Sequence, residues 1–285
     1  MIESIGFPII CLGGLGLVFG IILGIASKKF AVETDPKVEE IRAALPGANC
    51  GACGFPGCDG LAAAIASGKA AVNACPVGGA ACAEKIAAVM GVEAGGMDKQ
   101  VARVKCQGTC SIAKEKMDYQ GLQDCQAAAL VKGGSKLCEY GCLGLGTCVS
   151  ACNFDAIEVV EGIAVIDKEK CTSCGACLKV CPKSIIEMVP YKQKVFVDCN
   201  SKDKGKAVKD ACTHGCIGCQ MCVKACPFEA MYFDNNLATI NYEKCKNCMI
   251  CAKKCPTGAI TPHFDKETGK MIAKVSEPSP EISES

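Results

Sequence analysis

The chain has 285 residues, a formal net charge of +1 and 27 cysteines, close to one residue in ten. In a short secreted protein this density would predict disulfides. However, the total is odd, many cysteines are separated by only two intervening residues, and a long apolar segment rather than an evident signal peptide opens the chain. Reduced thiolates that bind metal are the better explanation. With no Trp and only 5% aromatic residues, bound inorganic centres would have to help stabilise the fold.

The first predicted element is a transmembrane helix over residues 1–28. Residues 4–27 carry no charge, and about 20 apolar residues suffice to cross the hydrocarbon of a bilayer. Lys28 and Lys29 follow, which by the positive-inside tendency places the rest of the chain in the cytoplasm. A cleaved signal peptide is the alternative, although the basic segment that should precede it is missing. Three glycines spaced by four would line one face, against which another membrane helix could pack: Gly16, Gly20 and Gly24.

Residues 31–95 are predicted to form a small helical domain around one metal site. The stretches "CGACGFPGC" and "ACPVGG" contribute four thiols: Cys50, Cys53, Cys58 and Cys75. Their spacing of 2, 4 and 16 intervening residues is not that of a ferredoxin. The neighbouring glycines would let backbone N–H groups turn towards the sulfides of an anionic iron–sulfur cluster.

The cysteines of the remaining chain form a tandem repeat. Equivalent cysteines are separated by one constant offset, which is the distance along the chain from Cys171 to Cys245. This offset aligns "CTSCGACLKVCP" with "CKNCMICAKKCP". Nine cysteine pairs share it, among them Cys125 with Cys199 and Cys138 with Cys212. So many matches at one offset indicate two copies of one module.

Each copy has two cysteine runs that are separated by a segment with a turn in its middle, at Glu161-Gly162 or at Asn235-Asn236. Such segments predict β-hairpins. We therefore predict an α+β fold with these parts: the transmembrane helix, the helical iron–sulfur domain, two tandem two-cluster ferredoxin-like modules over residues 100–185 and 186–265, and a flexible tail over 266–285.

Within a run, the C-x-x-C-x-x-C triplet wraps the backbone around a cube of four irons and four sulfides, and the next cysteine along binds the other cluster of the module. Zinc is the alternative, but zinc ribbons use paired C-x-x-C elements instead. The crossing rule gives three complete sets: Cys216, Cys219, Cys222 with Cys255; Cys245, Cys248, Cys251 with Cys226; and Cys171, Cys174, Cys177 with Cys152.

The first run of the first module departs from this pattern, because Leu145 stands where the second module has Cys219. The nearest upstream cysteine is the expected replacement, which gives the set Cys142, Cys148, Cys181 and Cys138. However, the second module has an equivalent cysteine, Cys212, beside a complete run. The position of Cys138 could therefore have a separate role.

Three further thiols, Cys106, Cys110 and Cys125, leave two interpretations open. They are either buried reduced cysteines or part of a sixth cluster, whose fourth ligand would be Cys82, Cys138, Cys199 or Cys212. The sequence thus predicts five 4Fe-4S clusters, and six if this last group is complete. The only two histidines, His214 and His263, are interpreted as incidental.

The order of these features resembles the B subunit of the Rnf complex, a membrane ferredoxin:NAD oxidoreductase that pumps sodium or protons. The resemblance covers residues 1 to 262 and is carried by the Gly-rich N-terminal helix, "LPGANCGACGFPGC", "CPVGG" and the ferredoxin modules, with "VKCQGTC" typical of the long form in anaerobic bacteria. It implies a single-pass protein of the inner membrane with cytoplasmic cluster domains. Its implied partners are the other membrane and peripheral subunits and soluble reduced ferredoxin, with no nucleic acid.

No motif in the chain predicts bond-making chemistry: we find no P-loop, no dinucleotide fingerprint and no nucleophile–base pair. The sequence instead indicates an electron carrier. The resemblance implies that ferredoxin gives electrons to the C-terminal clusters, which pass them to the cluster of Cys50 and on to partners that reduce NAD and pump ions. The alternatives are a ferredoxin-like subunit of another membrane oxidoreductase such as a hydrogenase, a reducing system for a redox-sensing regulator, and a zinc-bound scaffold.

The second module is basic. From Lys183 to Lys274 there are 15 Lys against 9 acidic residues, whereas residues 31–95 have 4 basic against 7 acidic residues. A basic surface would speed the encounter with an acidic ferredoxin, although ordinary solvated lysines would give the same composition. The densest group is Lys202, Lys204, Lys206 and Lys209.

Overall fold

The computed structural model describes residues 2–29, 35–96 and 98–261, with the side chains of the first helix described over 12–26. The predicted tail over 266–285 and His263 lie outside these ranges.

The chain begins with α1 (Ile2–Lys29), a helix of 28 residues. Among the described residues, however, no helix combines the length and the apolar character that a membrane crossing requires. The predicted transmembrane helix over residues 1–28 is therefore wrong. A Cβ built on any glycine of the proposed packing face meets no described atom within 4 Å: Gly16, Gly20 and Gly24.

Three helices form a unit around the first cysteine group: α2 (Pro36–Ala44), α3 (Gly57–Ala66) and α4 (Gly79–Met90). The Asp35 side chain caps α2 by accepting a hydrogen bond from the Lys37 N–H at 3.0 Å, which satisfies one otherwise unpaired donor of the first turn. The helices pack through fully buried aliphatic side chains that include Ile41, Leu61 and Ile86. This unit therefore has an apolar core of its own.

The first ferredoxin-like unit contains β1 (Gln100–Val104), α5 (Cys125–Leu130), α6 (Thr147–Ser150), β2 (Ile157–Val160), β3 (Ile163–Ile166), α7 (Ala176–Val180) and β4 (Ile186–Pro190). β1 pairs with β4, and β2 pairs with β3, both antiparallel. The hairpin predicted at Glu161-Gly162 is confirmed, and both turn residues have positive φ angles, 46° and 74°, as a two-residue turn of type I′ requires.

The second ferredoxin-like unit contains β5 (Phe196–Val197), α8 (Gly205–Ala211), α9 (Met221–Ala225), β6 (Met231–Asp234), β7 (Leu237–Ile240), α10 (Ile250–Lys254) and β8 (Ile260–Thr261). β5 pairs with β8, and β6 pairs with β7, both antiparallel. The hairpin predicted at Asn235-Asn236 is confirmed, with φ angles of 47° and 62°. The two units thus repeat the same pairing order.

The strand registers show that the two units do not keep one offset throughout. Val104 pairs with Ile186, and Val197 pairs with Ile260. Ile186 and Ile260 are separated by the constant offset of the cysteine repeat, but Val104 and Val197 lie further apart in the chain. The first unit therefore has an insertion between its first strand and its first cysteine run, and α5 lies within this insertion.

A buried salt bridge joins the two ferredoxin-like units. Arg103 donates to both carboxylate oxygens of Asp198, with Nε–Oδ1 at 2.8 Å and Nη2–Oδ2 at 2.6 Å. The guanidinium also lies 3.7 Å from the ring centroid of Phe196. The two charged side chains are only 5% and 6% exposed. Because a bidentate buried pair is specific in its geometry, it fixes how the two units face each other.

Candidate metal centres

Cysteines line three cavities in the described part of the chain, four to each cavity. The groups are Cys106, Cys138, Cys199 and Cys212; Cys125, Cys142, Cys148 and Cys181; and Cys152, Cys171, Cys174 and Cys177. Within the same residues, no three side chains of His, Cys, Asp or Glu are close enough to hold a single metal ion. The thiols of each group instead surround a space of several hundred cubic ångströms.

The group of Cys152, Cys171, Cys174 and Cys177 surrounds a cavity of about 330 Å³, including its open mouth. This is the set that the crossing rule predicts for one cluster. Cys171 Sγ accepts a hydrogen bond from the Ala102 N–H of β1 at 3.4 Å. Burial first, and then the charges of the three other thiols, raise the pKa of Cys177 to about 12. A cationic metal centre would remove this penalty by replacing the protons.

The second group contains Cys142, Cys148 and Cys181, but its fourth member is Cys125 and not Cys138. Burial raises the pKa of Cys148 to about 12, with smaller contributions from neighbouring thiols that include Cys125. The Cys125 N–H donates to Thr147 Oγ1 at 2.7 Å, which fixes the start of α5 against the first cysteine run. The insertion in the first unit thus delivers a thiol to this cavity.

The loop around Leu145 keeps the conformation of a cysteine run although its thiol is missing. Gly144 and Gly146 flank Leu145 with φ angles of 72° and 80°, and the corresponding Gly218 and Gln220 of the second unit have φ angles of 70° and 57°. Leu145 packs against the buried group that contains Cys125. The site therefore keeps its backbone and takes its fourth thiol from another segment.

In the second unit, the thiols of both predicted four-cysteine sets lie close together. Burial first, and then the charges of Cys216, Cys255 and Cys219, raise the pKa of Cys222 to about 12.

The pKa of Cys251 is raised to about 11 by burial and then by the charges of Cys245, Cys248 and Cys226. Cys245 Sγ also accepts a hydrogen bond from Gln193 Nε2 at 3.2 Å. In both groups the thiols are thus close enough to affect one another electrostatically.

The N-terminal group lies between α2, α3 and α4. The side chain of Asn49 accepts a hydrogen bond from the Cys58 N–H at 2.8 Å, which holds the cysteine loop at the start of α3. Cys75 Sγ accepts from the Gly78 N–H at 3.4 Å. Burial raises the pKa of Cys75, as do the nearby charges of Cys58 and Cys53. Cys50 is half-buried in the same loop.

Two other thiols lie near these groups without lining the three cavities. Cys82 is buried against Cys75 and donates to the carbonyl oxygen of Ala44 at 3.3 Å. Cys110 is exposed, and its N–H donates to the carbonyl oxygen of Glu161 at 2.9 Å. Of the three thiols that the sequence offered for a sixth cluster, Cys106, Cys110 and Cys125, no two line the same one of these three cavities.

The sequence analysis missed the equivalence of Cys106 with Cys199. Each lies two residues after the paired valine of its first strand, in "VKC" and "VDC". This short motif could have revealed the match, but the constant offset paired Cys199 with Cys125 instead.

Family profiles match three parts of the chain. They are described as "Putative Fe-S cluster" over residues 45–77, "4Fe-4S binding domain" over 164–187 and "4Fe-4S dicluster domain" over 215–259. The profiles thus cover the N-terminal group and parts of both ferredoxin-like units. None of the three reaches Cys106, Cys125, Cys138 or Cys199.

The chain is also similar to characterised proteins over most of its length. It is 53% identical to the B subunit of the Na(+)-translocating ferredoxin:NAD(+) oxidoreductase complex of Acetobacterium woodii, over 97% of this chain and 83% of that protein. It is 45% identical to the B subunit of the ion-translocating oxidoreductase complex of Methanosarcina acetivorans, over 82% of this chain and 89% of that protein. A third relative is the B subunit of the proton-translocating ferredoxin:NAD(+) oxidoreductase complex of Clostridium ljungdahlii. It is 44% identical over 81% of this chain and 82% of that protein.

Proposed function

The chain belongs to the family of B subunits of ion-translocating oxidoreductase complexes, and we propose that it transfers electrons from reduced ferredoxin to the other subunits of such a complex. The observation that carries this proposal is the arrangement of its cysteines in groups of four. Similarity over nearly the whole chain favours this function over a hydrogenase subunit, a reducing system for a regulator or a zinc scaffold. The complex is membrane-associated, and we propose that the cluster domains face the cytoplasm.

We propose five 4Fe-4S clusters from the groups already described. Four keep the predicted ligands: Cys50, Cys53, Cys58, Cys75; Cys152, Cys171, Cys174, Cys177; Cys216, Cys219, Cys222, Cys255; and Cys226, Cys245, Cys248, Cys251. The fifth uses Cys125 in place of Cys138, together with Cys142, Cys148 and Cys181, because Cys125 lines that cavity. Soft thiolate sets of four suit iron–sulfur clusters.

When bound, each cluster supplies a centre that accepts and releases one electron. The chain's own contribution is to bury these centres and to direct N–H groups at their sulfur ligands. Such bonds reach Cys142 from the Ala164 N–H at 3.4 Å and Cys171 from the Ala102 N–H at 3.4 Å. Because hydrogen bonds to the sulfurs stabilise negative charge, these donors favour the reduced state of the cluster.

The second ferredoxin-like unit is the better docking site for ferredoxin. Two of its cluster-binding thiols, Cys219 and Cys248, are exposed, whereas their counterparts in the first unit, Leu145 and Cys174, are half-buried. Exposed ligands shorten the distance to a docked electron donor. The four lysines of the densest basic group are all exposed and lie at or next to α8: Lys202, Lys204, Lys206 and Lys209. Their field would attract an acidic ferredoxin.

The function is tested with the full chain purified without oxygen. Reduced ferredoxin should reduce the iron–sulfur centres of the chain, while the chain alone should not reduce NAD. Adding the chain to membranes that lack it should restore ferredoxin-dependent NAD reduction. A chain that contains no stoichiometric iron and sulfide would overturn the proposal.

The docking site is tested by changing the four exposed lysines, Lys202, Lys204, Lys206 and Lys209, to Glu. The ferredoxin concentration for half-maximal transfer should rise, and more so at low salt, because screening acts over about 10 Å at 0.1 M. Transfer from a small uncharged reductant should not change. A matched control with the same change in net charge alters exposed lysines elsewhere: Lys69, Lys85, Lys170 and Lys179. If both sets have equal effects, the docking site lies elsewhere, for example nearer Cys171.

A further inference from the structure

The largest of the three cavities lies between the two ferredoxin-like units and is not needed by any of the five clusters. Its four thiols come in equal number from the two units, Cys106 and Cys138 from the first and Cys199 and Cys212 from the second. The cavity has a volume of about 510 Å³, including its open mouth. We call these four thiols and the cavity that they line the junction site.

Cys106 and Cys199 have the same surroundings. Cys106 Sγ accepts hydrogen bonds from the Gly108 N–H at 3.3 Å and from the Cys142 N–H at 3.4 Å. Cys199 Sγ accepts one from the Cys216 N–H at 3.3 Å. Burial raises the pKa of Cys199, and the N–H groups of Cys216 and Ser201 act against this rise. The two thiols are therefore equivalent in the internal repeat, and so are the N–H groups of Cys142 and Cys216 that donate hydrogen bonds to them.

Cys138 and Cys212 are also equivalent, and this pair follows the constant offset of the repeat. Each begins a turn in which its carbonyl oxygen accepts from a glycine N–H three residues later, Gly141 or Gly215, at 3.4 Å in both cases. The segment that carries Cys212 also bonds to the first unit, because the Lys114 N–H donates to the carbonyl oxygen of Ala211 at 2.9 Å. The four thiols are thus two repeat-related pairs that line one cavity, and backbone hydrogen bonds join the two units beside them.

The junction site has the features of an iron–sulfur site. Its ligands are soft thiolates, they surround a cavity, and backbone N–H groups point at two of them. A positive charge lies beside them: Lys136 is 2% exposed, lines the cavity and donates from Nζ to the carbonyl oxygens of Gly108 at 2.5 Å and Gly162 at 2.8 Å. A buried ammonium is costly without a negative partner, and an anionic cluster would provide one.

We propose that Cys106, Cys138, Cys199 and Cys212 bind a sixth 4Fe-4S cluster that connects the two ferredoxin-like units. The proposal rests on the proposed function in one respect, that the chain binds iron–sulfur clusters. It replaces the sixth group suggested by the sequence, which combined Cys106 with Cys110 and Cys125.

The position of the junction site explains why it is needed. The backbone N–H of Cys142 contacts Cys106 while the Cys142 thiol lines the neighbouring cavity in the first unit. The backbone N–H of Cys216 contacts Cys199, and its thiol belongs to a cluster of the second unit. A centre here adjoins one cluster on each side. Each electron received from one unit leaves for the other, with no change in any bond to the chain.

The test counts iron and acid-labile sulfide in the full chain, loaded and purified without oxygen. Six clusters give 24 iron atoms per chain, since each cluster has four. The variant Cys138→Ala/Cys212→Ala leaves only two thiols at the junction site and should lose four irons. Cys106→Ala/Cys199→Ala should lose the same four, and the quadruple variant should lose no more. The control Cys110→Ala removes an exposed thiol outside the cavity and should keep all iron.

Several results would overturn the proposal. It is contradicted if both double variants keep the iron content of the wild-type chain. It is also contradicted if the quadruple variant loses the sum of the iron lost by the two double variants, or if the site binds zinc. If the wild-type chain binds no iron and sulfide under the same treatment, the proposed function as a whole is contradicted instead. A second measurement needs no variant: alkylation under native conditions, followed by peptide mass spectrometry, should modify Cys110 in the iron-loaded chain and the four junction thiols only after iron is removed. Modification of Cys138 and Cys212 at the rate of Cys110 before iron removal also overturns it.

Discussion

Replacing Arg103 by Met tests whether the buried salt bridge holds the two ferredoxin-like units together. Met keeps an apolar stem over Phe196 but removes both charged hydrogen bonds to Asp198. The carboxylate would then lie 6% exposed without its cation, and breaking a buried pair in this way costs about 3–5 kcal/mol. The hydroxyl of Thr261 still donates to Asp198, so we expect the lower end, about 3 kcal/mol.

The assay is urea unfolding of the iron-loaded chain without oxygen, followed by circular dichroism. The double variant Arg103→Met/Asp198→Asn should recover much of the loss, because no uncompensated charge stays buried. Arg42→Met is the matched control: its contact with Asp59 is also 2.6 Å long, but the side chains are 33% and 79% exposed, so it should cost no more than about 1 kcal/mol. If Arg103→Met costs as little as Arg42→Met, or if the double variant is as unstable as the single one, the reasoning fails.

Three further predictions concern the cysteine loops and the cores. Cys125→Ala should lose one cluster, and Cys125→Ala/Leu145→Cys should regain it, because the loop at Leu145 already has the backbone of a cysteine run; an iron count that stays low in the double variant contradicts this. Gly144→Ala should destabilise the chain by more than Gly175→Ala. Both glycines have a φ angle of 72°, but a Cβ at Gly144 would clash with the carbonyl oxygen of Gly162, whereas one at Gly175 meets nothing within 4 Å; equal urea midpoints would refute it. Removing iron should unfold the second ferredoxin-like unit before α2–α4, because the core of α2–α4 also contains the fully buried side chains of Ile41, Leu61, Ile65 and Ile86; amide hydrogen exchange would show the order, and equal protection of both would contradict it.

The cysteines that lie close together in the chain could be grouped from the sequence. The triplets at Cys171 and Cys245 and the hairpins at Glu161-Gly162 and Asn235-Asn236 depend on a few consecutive residues, so spacing and turn chemistry suffice. The apolar N-terminal segment shows the limit of composition. Its lack of charge predicted a transmembrane anchor, and no helix of the described residues meets the requirements for one.

The sequence by itself determined which residue types would bind metal and that the chain contains a duplicated ferredoxin-like unit. Only the tertiary structure decided which distant thiols meet. A fixed offset cannot detect an insertion, and the one in the first unit carries Cys125 to the cavity beside Leu145. The register of β1 with β4 and of β5 with β8 shows that Cys106 and Cys199 occupy equivalent positions in the two units. Contacts between residues far apart in the chain are set by strand pairing and packing, because local spacing constrains only neighbours.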